Sequence, residues 1–110
     1  MAFSFKKAEK PIFKTKVTAR VPNDKGGHDT NSFMAHFKRT STDELKELAE
    51  RGLSDAELAR DRLVGWDMTD ADTGEAVEFS PELLEAVLSI QPTPKAIVQA
   101  FYGAVLGGKN

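Results

Sequence analysis

Two stretches of strict alternation constrain this chain more than any other feature. Phe13, Thr15, Val17, Ala19 and Val21 are interleaved with Lys14, Lys16, Thr18 and Arg20; farther on, Phe33, Ala35 and Phe37 are interleaved with Ser32, Met34, His36 and Lys38. A period of two sends successive side chains to opposite faces of a strand, so each stretch predicts a half-buried strand with one apolar and one polar, basic face. The connector Pro22 to Thr30, rich in Asn, Asp and Gly, is longer than a tight hairpin loop yet turns the chain back. The two strands are therefore expected as an antiparallel ribbon. An isolated ribbon is marginal in water, and its phenylalanine face must lie against something else.

That partner is expected to be helical. Ser41 to Glu44 and Ser54 to Glu57 both read S-x-x-E, the capping box in which Ser accepts from the backbone and Glu reaches back. The first helix holds Leu45 and Leu48 and stops at Gly52; the second holds Leu58 and is expected to end near Leu63 and Val64, before Gly65. A third starts at Pro81 behind a Ser80 cap, carries Leu83, Leu84, Val87, Leu88 and Ile90, and is closed by Pro92. Thr93 and Pro94 open the fourth by the same device. Between the second and third helices, Trp66 serves as a structural anchor, with Val77 and Phe79 projecting to one side of a short extended segment. The loop Asp70 to Gly74 reverses the chain there, because Asp bonds its own backbone and Gly takes a positive φ.

The fold class that follows is α+β: an N-terminal antiparallel two-stranded β-hairpin packed on about four α-helices, with a short Trp-containing loop or mini-hairpin between helices 2 and 3. With 110 residues there is room for one domain, divided into a flexible start (1–10), the hairpin (11–40), the helical part (41–106) and a flexible tail (107–110). In the fourth helix Ile97, Phe101, Ala104 and Val105 form one apolar stripe, and Val98, Tyr102, Val105 and Leu106 an adjoining one. A small core ordinarily takes a single stripe. The second is either buried as well or left open as a docking surface.

Composition excludes several function classes. The 40% hydrophobic and 29% charged content describes a soluble globular protein, and no run approaches the roughly 18 apolar residues of a membrane span. The start, Met1 to Lys7, has no apolar signal-peptide core, so a cytoplasmic location is expected. Absence of cysteine removes disulfides, thiolate nucleophiles and zinc-thiolate sites together. His28 in the Gly-rich connector and His36 on the polar strand face have no partner spacing for a metal pair, and Gly26-Gly27 is not followed by the Lys-Ser or Lys-Thr of a phosphate loop. Asp67, Asp70 and Asp72 miss the calcium-loop pattern, since Gly74 stands at the third ligand position and Pro81 where the closing Glu belongs. No enzyme activity, cofactor or metal is expected.

Net charge is −2 but uneven: residues 1–40 hold nine Lys/Arg against three acids, and residues 41–110 six against fourteen. Such asymmetry either steers an oppositely charged partner or a sister molecule, or is ordinary solvated surface. Nucleic acid is disfavoured as a partner, because Phe33 and Phe37 point away from Lys14, Lys16, Arg20 and Lys38.

The order Gly65-Trp66-Asp67, Asp72-Thr73-Gly74 and Val77 to Glu82 is followed by Leu83 to Leu88, a Pro-x-Pro break and Ala96 to Tyr102. Together with Val17 to Pro22, the Gly-rich loop, Ser32 to Lys38 and the capped acidic helix, it resembles the tail assembly chaperones of long-tailed bacteriophages and prophages. The likeness spans Ile12 to Leu106 and rests on the order of the motifs. It implies a non-catalytic protein that coats the tape measure protein, keeps it soluble, helps recruit tail tube subunits, can self-associate and is absent from the finished particle. On that reading Leu84, Leu88, Val98, Tyr102 and Leu106 supply the contact area. The resemblance also implies a second, frameshifted length, for which Gly108-Lys109 could be encoded by a slippery run. The alternatives are a structural minor tail or tube-end protein retained in the virion and a small nucleic-acid-binding regulator.

Overall fold

The computed structural model describes residues 11–107. The expectations for residues 1–10 and for the Gly108-Lys109 run lie outside these. Strands β1 (Ile12–Pro22) and β2 (His28–Lys38) form the expected ribbon, in continuous antiparallel register from Ile12↔Lys38 to Pro22↔His28. Pairing therefore runs farther than the alternation predicts, and the turn is confined to Asn23–Gly27. Asn23 closes it: Oδ1 accepts from the amides of Lys25 (3.0 Å) and Gly27 (2.9 Å), while Nδ2 donates to Asp29 (3.1 Å). A side-chain amide that replaces backbone partners in this way lets the strands start immediately on either side.

The ribbon has a third strand that the sequence reading does not anticipate. Helix α2 (Asp55–Arg62) stops short of the predicted Leu63–Val64 end, and Leu63–Asp67 is strand β3, antiparallel to β2 from Met34↔Asp67 to Phe37↔Leu63 with a register shift beside His36. Leu63 is already extended, at φ −85° and ψ 117°. The gain is burial and pairing together: β3 covers part of the free edge of β2 and puts Leu63 and Trp66 on the inner face. The two-stranded hairpin thus becomes a three-stranded sheet in the order β1-β2-β3.

Helix α1 (Thr42–Arg51) and α2 begin with the complete capping boxes of Ser41–Glu44 and Ser54–Glu57, and α1 ends on Gly52 in the left-handed region at φ 64°. Helix α3 (Pro81–Leu88) is capped by Ser80, whose Oγ accepts from the Leu83 amide at 3.1 Å. Helix α4 (Thr93–Val105) departs from expectation at its start. Its N-cap is Pro92, no side chain caps it, and Thr93 is buried within the first turn.

The helices cover one face of the sheet. Val17, Ala35, Phe37, Leu63 and Trp66 meet Leu48, Leu58, Ala59, Leu84, Leu88, Ile97 and Phe101 in a single core. Phe101 of α4 is its pivot, with its ring 5.3 Å from Phe37 in edge contact and 6.3 Å from Phe13. The architecture is α+β, as the alternation and capping signals imply.

Candidate functional site

The helical side carries the residues proposed from sequence to contact a partner, and the fold divides them. Leu84 and Leu88 are buried in the core and have no area to offer, which corrects their assignment as contact residues. Their neighbours on the other side of α3 take that place: Leu83 is 40% exposed, Ile90 45%, and Val87 is half-buried between them. Leu83 and Val87, at i and i+4, share one face of α3, and Ile90 follows just past the end of the helix, its amide donating to the Val87 carbonyl at 3.1 Å. Sequence reasoning missed them because α3 is apolar on both sides, and periodicity alone does not say which side meets the core.

On α4 the division runs as the two stripes suggest, with one exception. Ile97 and Phe101 are fully buried, but Ala104, expected on the same stripe, is exposed. Along the adjoining stripe Val98 and Tyr102 are half-buried and Leu106 is 66% exposed. Tyr102 makes edge contact with Phe101, ring centroids 5.2 Å apart, and is half-buried. The second stripe is thus neither sealed nor free; its exposure increases toward the end of the helix.

Beside that end lies a groove of about 510 Å³ lined by Phe13, Arg39, Thr40, Ser41, Glu44, Ala104 and Val105. Its polar groups serve local structure. Ser41 Oγ accepts from the Glu44 amide (3.2 Å), Glu44 accepts from the Ser41 amide (2.8 Å), and Thr40 Oγ1 donates to the Lys38 carbonyl (3.1 Å). The Ser41 amide holds the Glu44 carboxyl below its ordinary range. Thr40 also accepts, at 3.3 Å, from Nη1 of Arg62, a buried guanidinium at the end of α2 that no sequence signal identified.

The Trp66 region is a clasp. The indole Nε1 donates to the Val77 carbonyl at 2.9 Å, and the ring meets Phe79 (4.7 Å) and Phe33 (6.0 Å) edge-on. A short bridge, Thr69↔Ala76, makes the expected mini-hairpin. Asp70 closes its turn, accepting through Oδ1 from the amides of Asp72 (2.7 Å) and Thr73 (3.0 Å), and Gly74 sits at φ 75°. Asp67 lies apart from these, on the sheet, and the three aspartates do not converge. Among the described residues no cluster of three His, Asp or Glu side chains is placed to hold a metal ion.

Of the two histidines, His28 is exposed where β2 begins, and His36 lies on the outer sheet face with Nε2 3.2 Å from Asp67 Oδ2. Lys14 Nζ approaches the same oxygen at 3.4 Å. The His36 contact, reinforced by Lys14, keeps the Asp67 carboxyl below its ordinary range. Gly65 makes room for this arrangement, since a Cβ there would stand 3.1 Å from His36 Nδ1.

No helix among the described residues is long and apolar enough to cross a membrane. Comparison of the chain with protein-family models, with curated proteins and with solved structures gives no match.

Proposed function

We propose that this protein is a non-catalytic tail assembly chaperone of the phage and prophage type, which holds the tape measure protein in solution while the tail is built. The observation that carries the reading is the division of α3 and α4: a complete core on one side, and on the other Leu83, Val87, Ile90, Val98, Tyr102 and Leu106 left wholly or partly open. Apolar helical faces of this kind suit the reversible capture of amphipathic helical segments. The motif order from Ile12 to Leu106 adds the specific partner, and the acidic helix starts keep the holder itself soluble. On this reading the protein acts in the host cytoplasm, also meets the tail tube protein, and leaves before the particle is complete.

The test is co-expression with the cognate tape measure protein. A chaperone moves that protein from pellet to supernatant and is missing from purified particles by mass spectrometry. Retention in particles at stoichiometric level would assign it instead to the tail as a structural component.

A further inference from the structure

No element among the described residues covers the outer face of the sheet. Lys14, Lys16, Thr18 and Arg20 of β1 and Ser32, Met34 and Lys38 of β2 are all exposed, whereas every buried strand residue except Gly65 lies on the opposite, helical face. Among the described residues, Lys16, Arg20 and Lys38 make no ion pair. Among the described residues the only carboxylate that the strands place on this face is Asp67, and it is already engaged by Lys14 and His36. The result is a ribbon of cations, of which Lys16 and Arg20 have no paired carboxylate among the described residues, around one apolar centre, Met34, which is 37% exposed.

We propose that this face is a second docking surface, separate from the helical one, whose occupant is an acidic amphipathic helix of a partner protein. Three features select that chemistry. Alternate residues of a strand are about 6.7 Å apart, close to the roughly 6 Å rise between helix positions i and i+4, so carboxylates on one helix face match the Lys14, Lys16, Thr18, Arg20 row. Met34 gives an apolar residue of that helix a contact that a phosphate backbone would not use. No Phe, Tyr or Trp ring lies on this face to stack on bases, and Thr18 and Ser32 spend their hydroxyls on each other at 3.1 Å. A long polyanion would also meet the acidic helical half of the molecule, where residues 41–110 hold fourteen acids against six cations. A short acidic helix confined to the ribbon avoids that repulsion, which is screened beyond about 10 Å at ordinary ionic strength.

The test uses the full chain and a labelled synthetic helix composed of Glu, Leu and Ala, with its Lys-for-Glu counterpart and an oligonucleotide as controls, read by fluorescence anisotropy. The acidic peptide is expected to bind, and raising salt from about 50 to about 200 mM to weaken it several-fold. Lys16→Glu with Arg20→Glu should weaken it at least about tenfold, Met34→Ser about threefold, and Glu47→Lys on α1 less than twofold. Circular dichroism checks the fold, and Lys16→Gln with Arg20→Gln replaces the reversal should that variant unfold. Equal binding by wild type and ribbon variants, no binding at low salt, or tighter binding of the oligonucleotide overturns the proposal. So does salt-sensitive self-association abolished by the same substitutions, which would assign the face to a second copy. Loss of tape measure solubilisation with peptide binding intact would overturn the chaperone reading alone.

Discussion

The indole nitrogen of Trp66 donates to the carbonyl oxygen of Val77, 2.9 Å away and eleven residues on, and so ties the sheet's short edge strand to the segment that enters α3. With the Trp66–Phe79 ring contact it anchors the segment that leads into α3, whose start is set locally by Ser80 and Pro81. Val77 is held from its other side as well, its amide donating to the Met68 carbonyl at 2.8 Å.

Replacing Trp66 separates the bond from the packing. Trp66→Phe leaves the Val77 carbonyl without its donor and should cost about 1–3 kcal/mol. Trp66→Ala also empties the space between Phe33 and Phe79 and should cost about 3–5 kcal/mol. Urea unfolding followed by far-UV circular dichroism measures both; no loss in Trp66→Phe would mean that the hydrogen bond contributes nothing, and equal losses that the ring packing adds nothing beyond it.

The two sides of α3 and α4 should respond oppositely to substitution. Leu84→Ala opens a cavity in the core and should destabilise by about 2–5 kcal/mol. Leu83→Ser and Leu106→Ser, on exposed positions, should stay within about 0.5 kcal/mol of wild type. Unfolding midpoints compared at a common denaturant slope decide it, and a large loss at Leu106 would show that the stripe is structural.

Helix ends provide a check of smaller size. Ser41→Ala removes the acceptor for the Glu44 amide and should cost about 1 kcal/mol. Gly52→Ala forces a side chain into the left-handed region that ends α1 and should cost about 1 kcal/mol through backbone strain alone, since nothing stands near its Cβ position. Thermal melts of the two single variants and the double variant would show near-additive losses, because the two sites lie at opposite ends of the helix.

Acid should unfold the protein through a defined set of carboxylates. Glu44 and Glu57 are held below their ordinary range by the amides of Ser41 and Ser54, Glu85 by the Arg60 guanidinium that bonds it at 2.6 and 2.9 Å, and Asp67 by His36 and Lys14. A depressed folded-state pKa stabilises above the unfolded value and stops doing so as pH falls through the folded one. The contribution of these four is thus complete above about pH 4.5, the upper of their ordinary values, and declines below it. Glu44→Gln with Glu57→Gln keeps both box acceptors but removes their titration, and should flatten the acid limb of a plot of unfolding midpoint against pH. An unchanged limb would assign acid sensitivity elsewhere.

Much of this was legible in the residues. Strand alternation, both capping boxes, the Gly52 stop, the Ser80–Pro81 start and the Asp70 turn depend on local rules, and local rules are written in short sequence. Strand β3 was not legible, because Leu63 and Val64 continue the helical pattern of α2 and only the free edge of β2, remote in sequence, draws them into extended pairing. The same holds for which apolar side chains stay outside the core. Leu84 and Leu88 have the composition of a docking stripe, but they pack into the core, and which side of α3 does so is decided by tertiary packing with no periodic signature. Tyr102 and Leu106 were easier, since Phe101 claims the core side of α4 and leaves its neighbours outside.

The central claim is that apolar side chains outside the core hold another polypeptide. It is tested most directly by co-expressing the tape measure protein with wild type and with a Leu83→Ser, Tyr102→Ser, Leu106→Ser variant shown to be folded, and measuring the soluble fraction of the tape measure protein. The account predicts a largely soluble partner with wild type and a largely insoluble one with the variant. Equal solubility in the two cases would contradict it.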